Sequence, residues 1–159
     1  MNLTSLDEDK LEVISERLIS VDCHVSTREE ALKYLITQVK QENYVDDGDR
    51  FFQAVMEREK EASTAIGDLI AIPHGKTDVV KRPFVAFLRS DQAFRWSDAS
   101  TEAAQLIFLI GVPKESESKL HLKIISELSK KLLDEAFKEK LMTYTNPKEI
   151  YALLNAINV

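Results

Sequence analysis

The stretch Ile66-Gly67-Asp68-Leu69-Ile70-Ala71-Ile72-Pro73-His74-Gly75 decides the reading of this chain. Leu69 to Ile72 is a short apolar run, the pattern of a strand buried in a sheet. Pro73 and Gly75 punctuate structure strongly, so the strand is expected to stop there. His74 then stands at the open end of a strand, and Gly75 leaves free space beside its ring. An imidazole with an unperturbed pKa of about 6.5 is mostly neutral near pH 7, so one ring nitrogen offers a lone pair. The arrangement suits a nucleophile.

Outward from this stretch the pattern alternates between helix and strand. Ser26-Thr27-Arg28-Glu29-Glu30 offers two overlapping capping boxes, Ser26 with Glu29 and Thr27 with Glu30. Leu32, Leu35, Ile36 and Val39 recur at helical spacing and predict a helix from about Arg28 to Glu42. Asp46-Asp47-Gly48 starts a second helix, whose buried stripe is Phe51, Phe52, Val55 and Met56 and whose end lies near Arg58 to Ala62. Phe84-Val85-Ala86-Phe87-Leu88 and Leu106-Ile107-Phe108-Leu109-Ile110 read as central strands buried on both faces. Phe94-Arg95-Trp96 reads as a shorter edge strand. Ser118 is the expected N-cap of a helix that turns Ile124, Ile125, Leu128 and Leu132 inward. Asn146-Pro147 opens a last helix, with proline at the first helical position, and Ile150, Leu153 and Leu154 bury it. Helices and strands in this order predict one α/β layered domain over residues 14–158, after a short N-terminal extension of residues 1–13.

Composition narrows the function classes. The chain has 159 residues, of which 44% are hydrophobic and 30% charged, as expected of one globular domain. No apolar run approaches the roughly 20 residues that cross a bilayer, and the N-terminus lacks the pattern of a signal peptide. A single cysteine, Cys23, excludes an internal disulfide. A cytoplasmic protein is expected. The net charge of −6 argues against a nucleic-acid partner, which needs clustered Lys and Arg. It suits a protein partner with a basic docking face.

Three further groups can join His74 at one end of the sheet. Arg58 ends the helix before the strand, His121 falls in the first turn of the helix after Leu106–Ile110, and Ser63 and Thr64 place hydroxyls on the loop between. Phosphoryl transfer is the chemistry they can share, because the protein's task there is to position and neutralise a spreading negative charge. An arginine about 4 Å from that charge contributes about 4 kcal/mol of attraction at an effective dielectric of about 20. His121 would aim a ring N–H and a helix N-terminus at the anion. From spacing alone Arg58 reads more readily as an exposed helix charge; His121 also reads as a capping or core-edge residue, and Ser63 and Thr64 as capping or turn residues. Cys23, His24, His74 and His121 lack metal-ligand spacing, so no metal is expected. There is no glycine-rich phosphate loop and no nucleophile elbow, and no cofactor is expected.

The run from Arg58 through Ser63-Thr64-Ala65-Ile66-Gly67 to Ile72-Pro73-His74-Gly75-Lys76 resembles the active-site signature of the fructose/mannitol-type enzyme IIA domains. These belong to the bacterial phosphoenolpyruvate-dependent sugar phosphotransferase system. His121-Leu122-Lys123-Ile124-Ile125 resembles the second histidine motif of that family. The resemblance implies a mixed, about five-stranded sheet flanked by helices. It also implies a phosphocarrier, with His74 taking a phosphoryl group from phospho-HPr and passing it to a IIB component. Arg58 and His121 would assist, and Ser63, Thr64 and Gly75 would bind the phosphate. Relatives commonly carry Asn-Gly where this chain has Asp68-Leu69, so a less flexible turn and an added negative charge are expected there. With no IIB or membrane component read in the sequence, an acceptor on another polypeptide is expected. A nitrogen-type regulatory IIA, signalling by its phosphorylation state, is an alternative; a non-catalytic interaction module is another.

Overall fold

A computed structural model describes residues 13–116 and 119–156. The expected extension, apart from Val13, and the expected Ser118 cap lie outside the described residues. The elements are β1 (Ile14–Cys23), α1 (Arg28–Gln41), α2 (Gly48–Glu61), β2 (Ala65–Gly67), β3 (Ile70–Ala71), β4 (His74–Thr77), β5 (Phe84–Arg95), β6 (Ala103–Pro113), α3 (Leu120–Leu132), α4 (Glu135–Thr143) and α5 (Pro147–Asn155). They form a single α/β domain around a mixed sheet of six strands, in the order β1-β5-β6-β3-β2, with β4 also on β6.

The two long apolar runs become the centre of this sheet. β5 and β6 pair antiparallel, with Phe87 opposite Phe108. Alternation sends Phe84, Ala86, Leu88, Ile107 and Leu109 to the side of α1 and α2. Val85, Phe87, Leu106, Phe108 and Ile110 go to the side of α3, α4 and α5. Both faces are therefore covered, which is why these strands lack polar alternation. Arg89 and Ser90 are the buried polar residues of β5, and Arg89 is the charged one. Its guanidinium donates to the carbonyls of Leu141 (2.8 Å) and Tyr144 (2.7 Å) at the end of α4.

Several expectations are corrected in detail. β3 ends at Ala71, before Pro73 as expected, but the line resumes at once as β4 from His74. Ile70 pairs with Leu106 and His74 with Ile110, so one parallel register runs through the proline. Proline lacks only an N–H; its carbonyl still accepts from Ile110 at 3.0 Å. β3 and β4 thus share one line, and the six strands occupy five positions. Phe94 and Arg95 form the far end of β5, paired with Ala104 and Ala103 beyond a register shift, where a separate edge strand was expected. Of the two capping boxes, Thr27 alone caps α1, accepting from the Glu30 N–H at 3.1 Å, while the Glu30 carboxylate reaches back to Ser26.

The turn at Asp68-Leu69 is kept as well. Both residues have positive φ, 55° and 68°, so a β2–β3 hairpin forms at this sequence despite the unfavourable leucine. Asp68 lies 4.0 Å from Lys138 of α4.

Gly111 is the most tightly packed of the glycines. It pairs with Phe84, and a Cβ on it would lie 2.3 Å from that ring. Gly111→Ala is expected to destabilise the fold by about 1–3 kcal/mol or more. Urea denaturation of both proteins checks this, and an unchanged midpoint would contradict the packing described.

Candidate active site

β4 forms an edge of the sheet, since among the described residues it pairs only with β6. The last turns of α2 and the start of α3 reach past that edge from opposite faces and leave an open cavity of about 550 Å³. Its lining contains every site residue expected from the sequence: His74, Arg58, His121, Ser63, Thr64 and Gly75. Their roles differ from one to the next.

His74 shares its face with Ile70 and Ile72, toward α3, and is half-buried. Its Nδ1 lies 3.0 Å from the Ile72 carbonyl oxygen. A carbonyl can only accept, so Nδ1 carries the proton and Nε2 carries the lone pair. The His74 and His121 ring centroids are 5.9 Å apart. His121 occupies the second position of α3, and its buried Nδ1 has no hydrogen-bond partner among the described residues. Arg58, in the last turn of α2, donates from Nη1 to the Ala62 carbonyl at 2.9 Å.

The polar loop is more committed than its composition implied. Thr64 is buried, and its hydroxyl donates to the Glu59 carboxylate. Ser63 Oγ accepts from the Ala65 N–H at 3.1 Å, which leaves its own proton free to point elsewhere. Gly75 contributes space: a Cβ there would lie 3.1 Å from Phe51 and 3.2 Å from Val55 of α2. The Pro73 and Thr77 carbonyls accept from Ile110 and Lys114, so odd residues of this line face β6. The backbone N–H groups of His74 and Lys76 therefore face the open edge.

Sequence reasoning missed Lys76 and Glu59. Lys76 lines the cavity beside His74, two residues on and so on the same face; strand alternation would have found it. Glu59 is buried directly behind the site. Its position four residues after Val55, on the buried stripe of α2, was the available signal. Ile66 and Leu122, 53% and 52% exposed, add an apolar rim to the cavity.

Both histidines have depressed pKa values. For His74 burial is the main cause and the charge of Arg58 adds to it; the Ile72 carbonyl and the Glu59 and Glu61 carboxylates act in the other direction. For His121 burial again leads, followed by His74, Lys76 and Arg58. Two close rings among cations thus stay neutral near pH 7. Protonating either ring costs folding free energy. Their contribution to stability is complete above the ordinary value of about 6.5 and is lost as pH falls through the lower folded values. NMR titration of the free protein should show both rings titrating below about 6.5, and either one titrating above it would contradict this electrostatic picture.

The chain is similar to known proteins over most of its length. The family model described as phosphoenolpyruvate-dependent sugar phosphotransferase system, EIIA 2, matches residues 12–157. A PTS system fructose-specific EIIA component of Haloferax volcanii is 37% identical over 137 residues, which cover 86% of this chain and 88% of that one. The crystal structure of nitrogen regulatory protein IIA-Ntr from Neisseria meningitidis has a TM-score of 0.80 at 27% identity, covering 89% of this chain and 96% of its own. In the complex of enzyme IIAMTL and phosphorylated enzyme IIBMTL from Escherichia coli, a chain 28% identical to this one has a TM-score of 0.74, with 88% and 94% covered. Among the described residues no helix is long and apolar enough to cross a membrane.

Proposed function

The chain belongs to the type-2 enzyme IIA family of the sugar phosphotransferase system, whose members are phosphotransferase relay components, and from that premise we propose that His74 is its phosphoryl acceptor. The observation that carries the assignment is the hydrogen bond from His74 Nδ1 to the Ile72 carbonyl, which leaves Nε2 as the nucleophile on an open cavity. The donor is phospho-HPr. The Nε2 lone pair forms a bond to phosphorus while the donor's P–N bond breaks, and the donor imidazole leaves with that electron pair. A IIB component then accepts the group in the same way, as a cytoplasmic step of sugar uptake. The IIAMTL chain bound to phosphorylated IIBMTL supports a IIB partner for this fold.

The neighbours have separate tasks. Arg58 neutralises charge on the phosphoryl group, and Lys76 adds a second cation to the lining. His121 donates a hydrogen bond from a neutral ring. Ser63 retains a free donor, whereas the Thr64 and Gly75 contributions are to loop anchoring and to space. Ile66 and Leu122 give donor and acceptor one shared apolar docking rim, of the small kind that suits transient complexes.

A nitrogen-type regulatory IIA is the second reading, and the likeness to IIA-Ntr supports it. Onward transfer to a IIB component separates the two. Arg58, His74 and His121 gathered on one cavity count against a non-catalytic interaction module.

Incubation with phosphoenolpyruvate, magnesium and the general phosphorelay proteins should label the protein at a histidine. His74→Ala should abolish the label; full labelling of that variant would overturn the assignment. Arg58→Ala should fold normally but transfer about ten- to a hundredfold more slowly, a loss of about 1–3 kcal/mol. Unfolding of that variant would make Arg58 a structural residue. His121→Ala should still be phosphorylated yet pass the group on slowly, and His121→Gln, which keeps a donor, should lose less. Equal losses would mean that His121 acts through packing or charge.

A further inference from the structure

Glu59 stands directly behind the cavity without lining it. It is one helical turn beyond Val55 on the buried stripe of α2, and only 1% of its side chain is exposed. One carboxylate oxygen accepts from Trp96 Nε1 at 3.0 Å and from the Thr64 backbone N–H at 3.3 Å, with the Arg28 guanidinium of α1 at 3.8 Å. The Thr64 hydroxyl donates to the other oxygen. This single side chain therefore ties together α1, the residue after β5, and the loop between α2 and β2.

Removing a charge from water is costly, and apolar groups of similar volume often stabilise a core as well or better. A carboxylate here therefore calls for a reason beyond packing. The loop it holds is Ala62-Ser63-Thr64. At the start of that loop the Ala62 carbonyl accepts the Arg58 guanidinium. Arg58 directly precedes Glu59 on the helix, so the buried carboxylate and the guanidinium grip the same loop from opposite ends.

We propose that Glu59 is a positioning residue of the relay, fixing the Ala62–Thr64 loop so that the Ala62 carbonyl holds the Arg58 guanidinium on the cavity that His74 lines. The proposal rests on His74 as phosphoryl acceptor, and it predicts that Glu59 acts on transfer through Arg58.

Two variants test it. Glu59→Gln keeps the size of the side chain and the oxygen shared by Trp96 and the Thr64 N–H, but loses the charge and the second oxygen, the acceptor of the Thr64 hydroxyl. Thr64→Val removes the tie from the loop side and leaves Glu59 intact, so the comparison survives if Glu59→Gln fails to fold. Each should slow phosphoryl uptake about tenfold in the otherwise native protein. In the Arg58→Ala background the further loss should be below about twofold, because the residue through which they act is already gone. The Arg58 Nε–H NMR signal of the unphosphorylated protein should also shift or broaden in both variants. That signal reads the positioning even in a protein that takes up no phosphoryl group, so a failure of the relay and a failure of this proposal are distinguishable. Equal losses in the two backgrounds, or an unmoved Arg58 signal, would overturn the proposal.

Discussion

The hydrogen bond from His74 Nδ1 to the Ile72 carbonyl, 3.0 Å long, is the contact on which the site depends. It selects one tautomer, fixes the ring plane and turns the remaining lone pair outward. The carbonyl is available because the chain passes through Pro73 without leaving the sheet. Parallel register along β6 is the same before and after the proline. Pro73 faces β6 and withholds one ladder donor there, while its carbonyl still accepts from Ile110 and keeps the register.

Around that contact the fold supplies two rigid walls. The core between the sheet and α1/α2 holds the helix that ends in Arg58. The core on the opposite face holds the helix that begins with His121. Each wall brings one cationic or neutral nitrogen group to the strand-borne His74, the proposed nucleophile. Phosphoryl transfer asks a protein for placement and charge more than for covalent chemistry, and elements locked by buried Phe and Leu side chains provide placement. Burial also lowers the pKa of both imidazoles and favours their neutral forms near pH 7, the form the proposed transfer needs.

Much of this was legible in the sequence because its signals were strong. Long apolar runs marked β5 and β6, helical spacing marked α1 and α2, and proline with Asn146 marked the start of α5, where the Asn146 side chain accepts from Lys148. The cluster of Arg58, His74 and His121 followed from where those elements end. Other features gave weak or misleading signals. β1 carries exposed Glu16 and Arg17 and pairs with β5 in an irregular register, so it lacks clean alternation. α4 buries only Phe137 and Leu141, too few to set a period. Glu59 was missed for the opposite reason: its place on the buried stripe of α2 was a signal, but a carboxylate on a helix reads as solvent-exposed until its partners on Trp96, Thr64 and Arg28 are brought in by the fold. Thr64 and Gly75 were rightly placed at the cavity, yet their bonds and close contacts go inward.

The most direct measurement is the identity of the phosphorylated nitrogen. Proton–nitrogen NMR of the phosphorylated, ring-15N-labelled protein distinguishes the two isomers. With Nδ1 donating to the Ile72 carbonyl, the phosphoryl group should sit on Nε2 of His74, and the Nδ1–H signal should persist. A phosphoryl group on Nδ1, or on His121, would contradict the account.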